Sequence, residues 1–171
     1  MRLRGRQLRF GTHSRLPRGL RAQSGAVAIE AALLFIIFFT LFYAIVSYSL
    51  PLLMLQSFHH AASAGARAAV AVDSTEFNDT GDYLQNGVEP RVRSVVGELL
   101  NWLPPAAQSA VLGDGNQNVQ VDFVEATGIL TVTVRFPNYT ANPLIPILSF
   151  PGVGDVPRLP QDLIGRAAVQ L

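Results

Sequence analysis

Between Ala31 and Leu55 the chain carries 25 consecutive residues without a charged side chain. A bilayer core about 30 Å thick is crossed by about 20 apolar helical residues rising about 1.5 Å each. The run is too long for the apolar core of an ordinary signal peptide, and it predicts a membrane-spanning helix over residues 26–55. Its side chains are mostly Leu, Ile, Phe and Val, as lipid requires. Pro51 interrupts the pattern late. It either kinks the helix near Ser47, with Ser47 and Ser49 taking up freed backbone groups, or ends the span at the outer surface. The residues leave both readings open.

Charge orients the span. Residues 1–25 hold seven of the 13 arginines and no acid, whereas the rest holds all 12 acids and a net charge of −6. A basic flank before a first span stays in the cytoplasm, so the acidic remainder is expected across the membrane. That context explains the arginines better than nucleic-acid binding does, and no nucleic-acid partner is expected. The leader, residues 1–25, has Gly and Pro spacers and no apolar period, and it reads as disordered. Ser24 suits a helix cap. Cysteine is absent, which removes disulfides, thiolate catalysis and cysteine metal sites.

Beyond the span, residues 56–72 keep a helix-forming composition and become amphipathic. At 100° per residue, Gln56, His60, Ser63 and Arg67 share one stripe, while Met54, Phe58, Ala61, Gly65, Ala69 and Val72 share the opposite one. The helix is therefore expected to leave the membrane as a stalk, reaching about 70 Å from Ala26 to Val72. Ala61, Gly65 and Ala69 form a small-residue face that admits close backbone approach, either to a partner helix or to the chain's own distal domain. His59 and His60 point about 100° apart and do not converge on one ion, so no metal site is expected. His13 stands alone in the leader.

The distal region, residues 73–171, opens with a polar loop at Asp73–Asp82. The Asn-x-Thr sequons at Asn78 and Asn138 read as chance. Valines and leucines at three-to-four spacing then predict one helix over Val88–Leu103, stopped by Pro104–Pro105. Two alternating runs, Val119–Phe123 and Leu130–Phe136, predict a β-hairpin closed at Gly128. A hairpin needs cover from a helix to be stable. An irregular proline-rich segment follows, and Asp162–Leu171 reads as a short closing helix. The fold class is α+β: a long N-terminal transmembrane and stalk helix, then a small domain with one helix, a hairpin and a proline-rich C-terminal segment.

Just before the span, Gly25–Ala26 precedes Glu30, the fifth residue counted from Ala26. With basic residues before it and the apolar run after, this spacing resembles a type IV prepilin cleavage motif. SGAVAIEAALLF, the AASAGARAAV run at Ala61–Val70 and the LTVTVRF strand together resemble TadE-like pseudopilins of the tight-adherence (Flp) pilus system. Ala31 follows the acid where the short major pilins usually have Tyr, and the large distal domain points to the minor class. The resemblance implies a pilin-like protein of the bacterial inner membrane. It implies that a prepilin peptidase cuts between Gly25 and Ala26, and that the partners are other pilins or pseudopilins and the pilus assembly machinery.

Physical chemistry bears on Glu30 independently. A charge at the bilayer centre costs about 2.5–3.5 kcal/mol on insertion scales, and less near the edge. A neighbour's freed Ala26 ammonium, with a pKa of about 7.7–8.0, would offset that cost. A glutamate reaching to headgroup water is the simpler alternative. No Gly-rich phosphate loop or GxSxG is present, and all three histidines lie outside the distal domain. Asp122 and Glu125 read as surface charges on the hairpin. The expectation is therefore a non-enzymatic, cofactor-free pseudopilin contributing to pilus assembly, adhesion or secretion. The competing class is an uncleaved single-pass anchor with an envelope-facing binding domain, which cleavage after Gly25 distinguishes.

Overall fold

The computed structural model describes residues 23–150, 152 and 154–171. The basic leader and His13 lie outside the described residues, apart from the leader's last three positions. Contacts divide the chain into two compact units, Met1–Leu41 and Phe42–Leu171.

Helix α1 runs from Gln23 to Val70, 48 residues without a break. Ser24 therefore stands within its first turn rather than ahead of it. Pro51 lies inside α1 and does not end it. The hydroxyls of Ser47 and Ser49 bond back to the carbonyls of Ala44 and Val46, at 3.1 and 2.8 Å. They do not take up the Ser47 carbonyl, the group that a proline at 51 leaves without its usual donor. From Gly25 to Val46 no side chain is buried; from Ser47 onward a buried position recurs every third or fourth residue. That stripe passes through Pro51, Met54, Phe58, Ala61, Gly65 and Ala69, while Gln56, His60 and Arg67 stay exposed on the other side.

In the second unit, α1 is followed by a loop with a 3-10 turn at Ser74–Glu76. The next helical stretch begins as one turn, α2 (Thr80–Asp82). A π turn over Tyr83–Val88 carries it into α3 (Glu89–Leu99). The predicted helix thus begins earlier and ends four residues sooner than its apolar pattern indicated. Pro105 does not terminate it but occupies the first turn of a further helix, α4 (Pro105–Val111), where a missing N–H costs nothing. Val92 and Val96 of α3, then Leu100 and Leu103 beyond its end, are buried, as are Ala107 and Val111 of α4.

The hairpin forms as read, with β1 (Gln120–Val124) antiparallel to β2 (Ile129–Phe136) and Gly128 at φ +66° in the turn. The C-terminal expectation is overturned. Residues Leu163–Gln170 are not a helix but strand β5, antiparallel to β2 from Phe136 opposite Leu163 to Ile129 opposite Gln170. β2 is thereby the centre of a three-stranded sheet ordered β1-β2-β5. The physical reason is pairing. Eight residues of β2 otherwise present an open edge, and satisfying it outweighs the helix propensity of a run with two alanines, Leu and Gln. The proline-rich stretch is also not wholly irregular, since β3 (Leu148–Phe150) pairs with β4 (Gly154–Val156).

Leu130, Val132, Val134 and Phe136 point from β2 into the core and are all buried, worth about 1.5–3 kcal/mol each. The long connection from β2 to β5 is fastened at its base. Asp162 accepts the Asn138 amide at 2.9 Å and pairs with Arg135 at 2.6 Å, while the Tyr139 amide donates to the Gln161 carbonyl at 2.7 Å. The Asn138 amide first, and the Arg135 guanidinium after it, hold the Asp162 carboxyl below the usual carboxylate range. Tyr139 itself is buried edge-on against Phe136, and burial pushes its phenol up.

Gly165 of β5 lies directly against the backbone of α1. A Cβ there would sit 2.4 Å from the Phe58 carbonyl carbon and 2.5 Å from the His59 nitrogen. Backbone cannot yield as a side-chain tip can, so Gly165→Ala is expected to destabilise the second unit by about 3 kcal/mol or more, the upper range for overpacking. Denaturant unfolding of the purified chain measures it, and the unfolding midpoint should drop clearly below that of an Ala168→Gly control in the same strand.

Candidate assembly and packing sites on helix α1

The helix carries two groups of candidate residues, which meet different surroundings. Gly25 and Ala26 lie in the first turn of α1, both exposed. Among the described residues no atom would meet a Cβ on Gly25 within 4 Å. Glu30 is exposed one turn further on, and among the described residues it has no hydrogen bond or ion pair. Its neighbours Val27, Ile29, Leu33 and Leu34 are apolar and exposed as well. A lone carboxylate within an exposed apolar surface carries an unmet need for a cation or for water.

Ala61, Gly65 and Ala69 have the opposite surroundings. Ala61 and Ala69 are fully buried. A Cβ on Gly65 would lie 3.0 Å from a Val96 methyl, 3.1 Å from Val92 and 3.6 Å from Val132. α1, α3 and the central strand β2 therefore converge on Gly65. The face that the spacing left open between a partner and the chain itself is covered by the chain's own helix and sheet. Small residues here act as they do between any close helices, by letting backbones approach.

His59 and His60 stay apart from any ligand set among the described residues. His60 is exposed, and the His59 Nδ1 lies 3.4 Å from the backbone amide and carbonyl of Arg166. Among the described residues no group of three or more His, Asp or Glu is placed to hold a metal. Asp122 on β1 and Glu125 in the β1–β2 turn are exposed, and neither enters an ion pair with another described residue. A shallow cleft of about 310 Å³ is lined by Ala110, Gln117, Asn118, Gln120, Arg135 and Pro137. It contains an amide-rich wall and one guanidinium already engaged by Asp162, but no carboxylate, imidazole or hydroxyl.

Sequence reasoning missed three features. Gly165 was hidden in a run read as helix, although Leu163, Gly165, Ala167 and Val169 alternate with Ile164, Arg166, Ala168 and Gln170. The Asp162 clasp joins residues 27 positions apart and has no local signal. Tyr43 and Tyr48 could have been found, since tyrosines within an apolar run mark a membrane–water boundary.

Together these features define a class: a chain with one helix long and apolar enough to cross a membrane and a small α+β domain, the plan that suggests a single-pass membrane protein. Within that class, the model of the family described as TadE-like protein matches residues 25–67, so the family resemblance is shown over that stretch. The match covers 43 of the 171 residues and lies wholly within α1. It takes in Gly25, Glu30 and Gly65 and leaves the sheet untouched. No curated protein and no solved structure matches the chain.

Substitutions at Gly65 separate the two roles of this helix. In Gly65→Ala, a gain of about 0.5–1 kcal/mol in helix propensity meets two valine methyls that must move by a few tenths of an ångström, so stability should change by less than about 1 kcal/mol. Gly65→Leu has no room and should cost more than about 3 kcal/mol, exposing the second unit to protease. Limited proteolysis of both variants checks the pair.

Proposed function

We propose that this chain is a non-enzymatic minor pseudopilin of a type IV-like, tight-adherence pilus, anchored by α1 in the bacterial inner membrane before assembly. A prepilin peptidase removes residues 1–25, and the mature chain begins at Ala26. The observation that carries this reading is Glu30. It is an exposed acid at the fifth position of the chain that begins at Ala26, unpaired among the described residues and set within an apolar helical surface. The family match over residues 25–67 supports it. So does the charge division, with seven arginines in residues 1–25 and net −6 over the rest of the chain, Glu30 included, which orients the second unit away from the cytoplasm.

In this reading the span of the mature chain is Ala26–Val46, within the part of α1 in which no residue is buried. Its 21 residues measure about 32 Å, close to the bilayer core. Beyond Val46, one face of the helix is occupied by the chain's own domain. Assembly then proceeds through the lipid-exposed part of the helix, where the Ala26 ammonium of one subunit neutralises Glu30 of the next. The protein performs no chemistry. Its partners are the peptidase, other pilins or pseudopilins and the assembly machinery, and its contribution to adhesion or secretion follows from joining or priming the filament.

Glu30→Ala tests the pairing. Membrane insertion should be unchanged or improved, because a charge is removed from the bilayer. Co-purification with other pilin subunits, and surface pilus yield, should fall severalfold. Wild-type pilus yield in Glu30→Ala would refute the assembly role.

A further inference from the structure

The segment after β2 has a chemical character unlike the rest of the second unit. From Phe136 to Gly154 it runs 19 residues without a charged side chain, the longest such stretch after α1. Two hydrogen bonds fix it and its continuation to α1. The Tyr43 hydroxyl donates to the Pro146 carbonyl, and the Arg158 amide donates to the Tyr48 hydroxyl at 2.9 Å. Pro146 and its neighbours are thereby held at the level of Tyr43–Tyr48, where all-round exposure of the helix ends. Both anchoring side chains are tyrosines, which concentrate at membrane–water boundaries because the ring is apolar and the hydroxyl is polar.

At that level large aliphatic side chains stand open. Ile147 and Leu148 leave 38% and 37% of their area open, and Ile45 of α1 leaves 62%. Large exposed aliphatic side chains on a loop bound to a helix that is itself continuous with an apolar span need a non-aqueous partner.

We propose that Pro146–Leu148, tied to α1 through Tyr43, is an interfacial anchor that inserts Ile147 and Leu148 into the outer leaflet of the bilayer. Its partner is the boundary between phospholipid headgroups and acyl chains. The inference rests on the membrane reading of α1 and adds to it. A single helix fixes a subunit in depth but leaves it free to rotate about its axis, whereas a second insertion point beside it fixes which face of α1 meets a neighbour. Tyr43 and Tyr48 mark the same boundary from the helix side.

The chain has no cysteine, so single-cysteine variants each take one fluorophore. The full chain is reconstituted in vesicles of phosphatidylcholine and phosphatidylglycerol containing lipids with a nitroxide at a shallow or a deep acyl position. Labels on Ile147→Cys and on Leu148→Cys should each lose most of their fluorescence to the shallow nitroxide. A label on Ile36→Cys, in the middle of the span, should respond to the deep one. A label on Glu125→Cys, in the β1–β2 turn, should respond to neither. If 147 and 148 behave like 125 while 36 is quenched, the anchor is refuted and the span stands. If 36 is unquenched too, the span and the anchor fall together.

Discussion

The structure depends on how closely α1 lets other backbone come to it. At Gly65 the valines of α3 and β2 press within about van der Waals contact of the helix axis side, and at Gly165 the backbone of β5 reaches the backbone of α1 with no room for a methyl group. Both contacts sit on one stripe, Ser47 to Ala69, which carries Pro51, Met54 and Phe58 and then only Ala and Gly from Ala61 to Ala69. A stripe of Leu or Phe would hold the sheet and α3 several ångströms further out and open voids, each methyl-sized gap costing about 1 kcal/mol. The second unit is therefore assembled around a helix chosen for its thinness on one side. Its opposite face, with Gln56, His60 and Arg67, needs only to be wet.

The same helix meets a different demand before Val46. There no residue from Gly25 on is buried by the described residues, and bulky aliphatic and aromatic side chains are exposed along it. Residue size changes along this one element: Phe, Ile and Leu dominate its exposed apolar part, and Ala and Gly dominate from Ala61 to Ala69, where the chain's own elements cover it. Glu30 is the one charged residue between Gly25 and Val46, and no described group forms an ion pair with it.

Much of this was legible in the residues. The apolar run, the amphipathic stripe from Met54 to Ala69 and the alternating β1 and β2 are local patterns with the right period, and each appears within a few residues of its expected place. Spacing identified Ala61, Gly65 and Ala69 as one face, but no spacing says what covers a face, and only the structure shows α3 and β2 there. β5 was misread because its inward positions include Gly165 and Ala167, too small to display alternation, among residues that favour helix. The strands β3 and β4, three residues each, are shorter than any periodic signal. Gly25 and Glu30 were singled out by their spacing, a local pattern, and their roles belong to the proposal above. The Tyr43–Pro146 bond spans 103 positions and could not be read in advance.

The central claim is that α1 is a processed assembly helix and not merely an anchor. The most direct measurement is the intact mass of the protein extracted from membranes of cells with an active prepilin peptidase. The account predicts a single species lacking residues 1–25 and beginning at Ala26. A full-length species still carrying Arg2–Gly25 under those conditions would contradict it and leave a single-pass anchor with an envelope-facing domain.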